Sequence, residues 1–201
     1  MKKIVIDIAV LPSQEMMEVI IELNKELLTS NDQLLILGEV VNVPHISLFF
    51  GCVDEDALPE IQKIIERESQ NFSPIRLEVD QIKTRNSVIG NFHSSLQMSF
   101  NEVLSHWQKT LFAELKPYLF YDIDPSMFVP GSHVNSEVMG WIRSHEKRGG
   151  DDFLLIPHIT IGFGQVKKFE GPSFFTASKI AFYHVGSYCT CNKWLGGVDI
   201  T

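Results

Sequence analysis

A short apolar phrase occurs twice in this chain of 201 residues. Residues 44–51 read PHISLFFG, and residues 157–164 read PHITIGFG. Each copy carries a histidine and, two positions later, a small hydroxyl residue, inside a run of β-branched and aromatic residues. Because alternate side chains of a strand lie on opposite faces, this spacing puts both polar groups on one face. The phrase therefore predicts two similar β-strands, each with an apolar face and a face that carries a histidine and a hydroxyl.

Strict alternation assigns each side chain of the two phrases to a face. In the first copy, His45 and Ser47 share a face with Phe49, and the opposite face carries Ile46, Leu48 and Phe50. In the second copy, His158 and Thr160 share a face, and the apolar residues on the other side are Ile159, Ile161 and Phe163. At roughly 3.3 Å per residue, each histidine lies about 7 Å from its hydroxyl partner along the strand.

Composition limits the class of protein and its partners. A hydrophobic content of 44% and a charged content of 21% are ordinary for a globular protein, and no apolar run approaches membrane-spanning length. The formal net charge of −8 argues against a general binder of long nucleic acid, but permits a small nucleotide or an RNA end in a local pocket. Three cysteines, an odd number without metal-site spacing, favour reduced thiols and a cytoplasmic location, with no membrane partner.

Helix and strand patterns alternate along the chain. Apolar periodicity predicts helices over residues 13–28, from 54 to about 65, 101–119 and 135–147. Beside the two phrases, strands are predicted near residues 1–10, 75–82, 87–89, 96–98, 179–185 and 194–200. The predicted architecture is one α+β domain over residues 1–201. Its two lobes are duplicated units, one phrase in each half of the chain, with antiparallel-rich sheets lining a central cleft and helices outside.

Two histidines that face each other can divide acid–base chemistry between them. One accepts a proton from a nucleophile while the other donates a proton to the leaving oxygen. Ser47 and Thr160, on the same faces, can donate hydrogen bonds to the oxygens of a phosphate held between them. No cofactor is needed for this chemistry. No metal is expected either, because the two motifs supply only two nitrogens and no nearby cysteine or carboxylate completes a zinc site.

The other histidines and the cysteine pair have no repeated context. We expect surface or packing roles for His93, His106, His133, His145 and His184. Cys189 and Cys191 are expected to be two thiols on one strand face, because the C-x-x-C spacing of a redox pair is not present. The sequence also has no G-x-S-x-G motif to indicate a serine hydrolase.

The segments His45-Ile46-Ser47-Leu48 and His158-Ile159-Thr160-Ile161 resemble the paired H-x-[S/T]-apolar motifs of the 2H phosphoesterase superfamily. That superfamily includes the bacterial 2′-5′ RNA ligases and the RNA cyclic phosphodiesterases. The resemblance implies a bilobal fold with both motifs in a central cleft. It also implies metal-independent hydrolysis of 2′,3′-cyclic phosphates or cleavage of 2′-5′ linkages. Carried onto this sequence, His45 and His158 are the catalytic residues, and Ser47 and Thr160 bind the substrate phosphate.

Within this hypothesis His45 is assigned the acid role and His158 the base role, and the two roles exchange in the reverse, ligating direction. Two alternatives remain open at the level of sequence. The chain could be a non-catalytic nucleotide-binding module that uses the same cleft. It could also host a different phosphoryl or acyl chemistry on the same scaffold, since a fold does not fix a function.

Overall fold

The computed structural model describes residues 2–28, 35–86, 92–147 and 155–201. Their fold is α+β with two antiparallel four-stranded sheets, which confirms the predicted class. The strands are β1 (Lys3–Leu11), β2 (Ile46–Asp54), β3 (Ile75–Asn86), β4 (Phe92–Met98), β5 (His158–Phe163), β6 (Phe174–Ala177), β7 (Lys179–Val185) and β8 (Cys191–Asp199). The helices are α1 (Gln14–Leu28), α2 (Leu58–Ser69), α3 (Glu102–Leu115) and α4 (Ser136–Arg143). The strand predicted at residues 87–89 lies outside the described residues.

Local sequence signals account for the helix starts. The Ser13 hydroxyl accepts a hydrogen bond from the backbone N–H of Met16 at 3.4 Å, as predicted for the cap of α1. Asn101 and Asn135 cap α3 and α4 in the same way. The second predicted helix begins later than expected, because Glu55–Ala57 form a 3₁₀ turn before α2. None of the helices within the described ranges is long and apolar enough to cross a membrane.

The two sheets do not correspond to the two halves of the chain. The first sheet has the strand order β2-β1-β7-β8, and the second has the order β5-β4-β3-β6. The last two strands therefore return to the N-terminal sheet, whereas β3 joins the sheet of the second phrase. Sequence periodicity could not show this exchange, because pairing partners far apart in sequence leave no local pattern. Each phrase still supplies one strand, and both strands lie at a sheet edge.

Both phrase strands contain a β-bulge at the same place. In the first sheet Ile8 pairs with Phe49 and Ala9 pairs with Ser47, so Leu48 has no partner. In the second sheet Ser94 pairs with Gly162 and Ser95 pairs with Thr160, so Ile161 has no partner. A bulge adds one residue to a strand and reverses the alternation of faces beyond it. Each bulge follows its hydroxyl residue directly, and the repetition of the phrase thus extends to the register of the strands.

The first bulge corrects one part of the face assignment. His45 and Ser47 share a face as predicted, but Phe49 packs in the main core with Ile46. Phe50 instead packs in a second apolar cluster with Val5. Beyond Leu48 the side chains have exchanged faces, because strict alternation does not hold across the inserted residue.

Asn24 of α1 connects the helix to the second bulge. Its side-chain amide donates hydrogen bonds to the carbonyls of Leu35 and Ile161, at 3.0 and 2.8 Å. Its carbonyl oxygen accepts a hydrogen bond from the N–H of Leu37 at 2.9 Å. Gly162 makes room for this contact, since a Cβ at that position would lie 2.7 Å from the Asn24 nitrogen. A buried polar side chain thus satisfies backbone groups that a bulge and a chain turn leave without sheet partners.

Replacing Asn24 with alanine should lower the free energy of unfolding by at least about 2 kcal/mol, because buried backbone groups lose their partners. Chemical denaturation of the wild type and Asn24→Ala measures this difference. Lys25→Ala is the matched control on the next, exposed position of α1, and we expect a change within about 0.5 kcal/mol. Equal, small effects for both variants would show that Asn24 does not support the bulge.

Candidate active site

The two phrase strands bring the predicted site residues to neighbouring sheet edges. β2 and β5 contact each other where the two sheets meet. His45 directly precedes β2, and His158 is the first residue of β5. Ser47 and Thr160 follow in their strands, and both are half-buried. The structure thus places one histidine and one hydroxyl on each of two adjacent edge strands.

Both histidines are anchored in the same manner. Nδ1 of His45 lies 2.6 Å from the carbonyl oxygen of Val43, and Nδ1 of His158 lies 3.1 Å from that of Ile156. In each case the acceptor belongs to the residue two positions earlier, just before the proline of the phrase. A carbonyl can only accept a hydrogen bond, so Nδ1 carries the hydrogen in both rings. Each imidazole therefore exchanges its second proton at Nε2.

A buried carboxylate that the sequence hypothesis did not include completes the first half of the site. Asp7 of β1 has no solvent exposure. Its Oδ2 accepts a hydrogen bond from the Ser47 hydroxyl at 2.7 Å and lies 3.3 Å from Nε2 of His45. The thiol of Cys191 also donates to Oδ2, at 3.6 Å. Asp7 interrupts an otherwise apolar strand in the sequence, and an acidic residue within such a strand is the signal that could have identified it.

Asp7 and His45 change each other's affinity for protons. Burial alone would lower the pKa of His45, but the hydrogen bond and charge of Asp7, with the Val43 carbonyl, raise it above its ordinary value. Burial raises the pKa of Asp7 in turn, against the hydrogen bonds that it accepts. Both shifts favour a proton held between the two side chains, and the charge of the Asp7 carboxylate favours the protonated form of His45.

The second half of the site has a histidine where the first has Asp7. Asp7 pairs with Phe50 in β2, and His93 pairs with the corresponding Phe163 in β5. Burial lowers the pKa of His93, and the charges of His158 and Arg85 lower it further. The surface or packing role predicted for His93 therefore omitted its electrostatic contact with His158. The two halves share a scaffold but give their histidines different neighbours.

Among the other four histidines, the structure gives His145 a packing role, as predicted. It is buried, its Nδ1 accepts a hydrogen bond from the N–H of Phe50 at 3.2 Å, and its ring contacts that phenyl edge-on. His184 is also buried, with Nε2 2.9 Å from the carbonyl of Met127. His106 is exposed on α3.

An aromatic contact joins the turn before β8 to the second phrase. The ring of Tyr188 lies 5.0 Å from that of Phe163 and 5.7 Å from that of His133.

Tyr188 and Cys189 both have left-handed backbone conformations, with φ of 58° and 62°. The prediction that Cys189 and Cys191 share one strand face is wrong, because Cys189 lies in this 3₁₀ turn and β8 begins at Cys191. Non-glycine residues rarely adopt the positive φ angles of Tyr188 and Cys189. After this turn, the Cys191 thiol contacts Asp7.

Among the residues that the structure describes, one group of side chains could hold a metal ion. The donor atoms of Asp7, His45 and Cys191 all lie within 4.8 Å of one another. Our expectation of no metal relied on residues near the two phrases in sequence. The structure brings in donors from β1 and β8, at opposite ends of the chain.

Several solved structures share this fold. TT0787 of Thermus thermophilus aligns with a TM-score of 0.58 and 13% identity, over 98% of this chain and 98% of that protein. E. coli LigT, solved in complex with phosphate, aligns with a TM-score of 0.53 and 13% identity, over 100% of this chain and 99% of LigT. No protein-family model matches the sequence. No curated protein matches it either.

The two alignments define the class of fold to which the chain belongs. It has the two-sheet α+β architecture of LigT, as the resemblance of its paired motifs implied. At 13% identity the likeness shows the fold, and the chemistry has to be argued from the side chains of the site.

The shared proton gives a direct test of the Asp7–His45 pair. In EDTA, we expect His45 of the wild type to titrate above its ordinary pKa of about 6.5, and His93 below it. Asp7→Asn removes the charge that holds the proton, so burial then dominates and the pKa of His45 should fall below that value. Imidazole Cε1 chemical shifts measured against pH report both groups.

Asp80→Asn, which makes the same chemical change on an exposed part of β3, is the control and should leave both titrations unchanged. An unaltered His45 titration in Asp7→Asn would show that the carboxylate does not act on this imidazole.

Proposed function

We propose that this protein is a metal-independent phosphodiesterase that acts on RNA ends with a 2′,3′-cyclic phosphate or on small cyclic or 2′-5′ linked nucleotides. The observation that carries the proposal is the repeated geometry of the two phrases. Both histidines stand at the start of an edge strand, both donate Nδ1–H to the carbonyl two residues earlier, and both precede a bulge. Two equivalent imidazoles on adjacent edges suit two-histidine acid–base catalysis. The fold is that of LigT, which was solved with phosphate.

In the hydrolytic direction, His158 accepts a proton from water at Nε2 as the water oxygen attacks phosphorus. The bond from phosphorus to one ribose oxygen breaks, and His45 donates its Nε2 proton to that oxygen. The neighbours of the two rings support this division of roles. Asp7 stabilises a protonated His45 before the reaction, and the position of β4 that corresponds to Asp7 holds His93. In the ligating direction the two roles exchange.

Ser47 and Thr160 are the proposed donors to the phosphate oxygens. Ser47 has a single hydroxyl proton, which it donates to Asp7 in this structure. Binding a phosphate through Ser47 therefore requires that hydroxyl to turn from Asp7 to the substrate. Thr160 pairs with Ser95 in the sheet and is half-buried at the corresponding place of β5.

A second candidate function is a nucleotide-binding module without turnover. The bond between Ser47 and Asp7 favours it, because a buried carboxylate already occupies the polar groups of the first phrase. In that case the second phrase would provide most of the ligand contacts. Tight binding of a cyclic nucleotide without hydrolysis by the wild type would support this candidate over the enzyme.

We propose that residues 1–201 form one bilobal domain with a duplicated plan, located in the cytoplasm. Its net charge of −8 favours a small nucleotide or a single RNA end over a long nucleic acid as partner.

Hydrolysis of an RNA oligonucleotide with a 2′,3′-cyclic phosphate end, measured in EDTA, tests the enzymatic proposal. His45→Ala and His158→Ala should each lower kcat/KM by about 100- to 10,000-fold, the usual contribution of a general acid or base. His106→Ala is the matched control, because it removes an exposed imidazole of α3.

Each outcome of this experiment has a distinct meaning. Turnover that survives both substitutions would make the histidines of the phrases structural and refute the mechanism. A wild type that does not turn over this oligonucleotide or a 2′-5′ linked dinucleotide would refute the enzymatic function and leave the binding module.

A further inference from the structure

We propose that Asp7, His45 and Cys191 form a binding site for a divalent transition-metal ion, with Zn²⁺ as the best-matched ion. Oδ2 of Asp7 lies 3.3 Å from Nε2 of His45 and 3.6 Å from Sγ of Cys191. The three donor atoms lie within 4.8 Å of one another. In tetrahedral zinc sites, metal–ligand bonds of about 2.0–2.3 Å place neighbouring donors roughly 3.3–3.7 Å apart. Two edges of such a tetrahedron are thus already formed.

The surroundings of His45 match those of a metal-bound histidine. A histidine that binds a metal through one nitrogen usually donates its other N–H to a carboxylate or a backbone carbonyl. Here Nδ1–H of His45 is held by the carbonyl of Val43 at 2.6 Å. Val43 in turn donates its own N–H to the carbonyl of Cys191 at 3.0 Å. Val43 therefore links the His45 ring to the backbone of Cys191, and this link sets the spacing of two of the three donor residues.

Further contacts hold the donor segments together. Oδ1 of Asn42 accepts hydrogen bonds from the Thr190 hydroxyl and the Asn192 amide, at 2.8 and 2.9 Å. These bonds hold Asn42, which lies shortly before His45, against the two residues on either side of Cys191. Asp7 lies within β1, which pairs with β2 and β7. All three donors are thus carried by backbone that is held in place before any ion binds.

The chemistry of the donors selects among metal ions. A thiolate and an imidazole favour borderline and soft ions such as Zn²⁺ over Mg²⁺ and Ca²⁺, which prefer oxygen ligands throughout. The Asp7 carboxylate also has a second oxygen, Oδ1, which is buried and has no hydrogen-bond partner in the described part of the chain. An ion between the three side chains would stabilise this carboxylate.

Metal binding would use the same nitrogen that donates the proton in the proposed reaction. With Nε2 of His45 bound to Zn²⁺, the general acid is lost, so Zn²⁺ should act as a reversible inhibitor. This consequence rests on the proposed function, whereas the binding site itself does not.

Cobalt absorption tests the site without any substrate. Co²⁺ added to the EDTA-treated, desalted wild-type chain should give intense visible bands of a tetrahedral ion and a near-ultraviolet thiolate-to-cobalt band. Both should be displaced by one equivalent of Zn²⁺. Cys191→Ala should remove the thiolate band and weaken Zn²⁺ binding by more than the 10- to 100-fold typical of losing a supporting hydrogen bond. Cys52→Ala, which removes a buried thiol of the second apolar cluster, should keep both signals.

A second variant distinguishes loss of the site from a folding defect in Cys191→Ala. His45 is a partly exposed ligand, so its removal should disturb the fold less. His45→Ala, checked by circular dichroism like the other variants, should also lose the visible bands. In weakly buffered solution near neutral pH, Zn²⁺ binding to the wild type should release protons, because the Cys191 thiol must lose its proton to bind the ion. Octahedral Co²⁺ spectra, or a thiolate band that survives Cys191→Ala, would overturn the site. These results stand apart from turnover, so a failed hydrolysis assay would not be mistaken for a failed metal site.

Discussion

The buried Asp7 carboxylate is the interaction on which the first half of the site depends. A charge inside a protein costs several kcal/mol unless partners surround it. Asp7 meets this requirement with the Ser47 hydroxyl, the His45 imidazole and the Cys191 thiol. Those partners come from strands at both ends of the chain. The carboxylate therefore ties the first phrase to β1 and β8, and sets the orientation of both chemical groups of that phrase.

A repeated scaffold with unequal neighbours explains how two similar phrases can have different roles. Bulges at the same position and the same Nδ1 contacts give both histidines one backbone geometry. The neighbouring strands differ at one corresponding position, where β1 has Asp7 and β4 has His93. A proton is stabilised at His45, while the half-buried His93 loses its own proton more readily than a free histidine. The proposed acid and base roles therefore rest on the paired strands rather than on the phrases.

Local patterns predicted much of the fold, and long-range pairing accounts for what they did not. The phrase strands and the shared face of His45 and Ser47 follow from an alternation of period two, which the sequence displays directly. The exchange of Phe49 and Phe50 depends on a bulge, which only the partner strand reveals. Asp7 lies in β1 and His93 in β4. Neither the sequences of these strands nor those of the phrases predict how they pair. Cys191 stands 184 positions from Asp7, so sequence spacing gave no indication of a three-residue cluster.

The proposed function requires His45 and His158 to contact the same phosphate group. Titration of isotopically labelled protein in EDTA with a nucleoside 2′- or 3′-monophosphate, the two possible products of the proposed hydrolysis, tests it most directly. If the account is right, the imidazole signals of His45 and His158 will both move and will fit a single Kd, while His106 on α3 will not respond. A ligand that moves His158 alone, or neither histidine, would contradict a shared site and separate the two phrases in function.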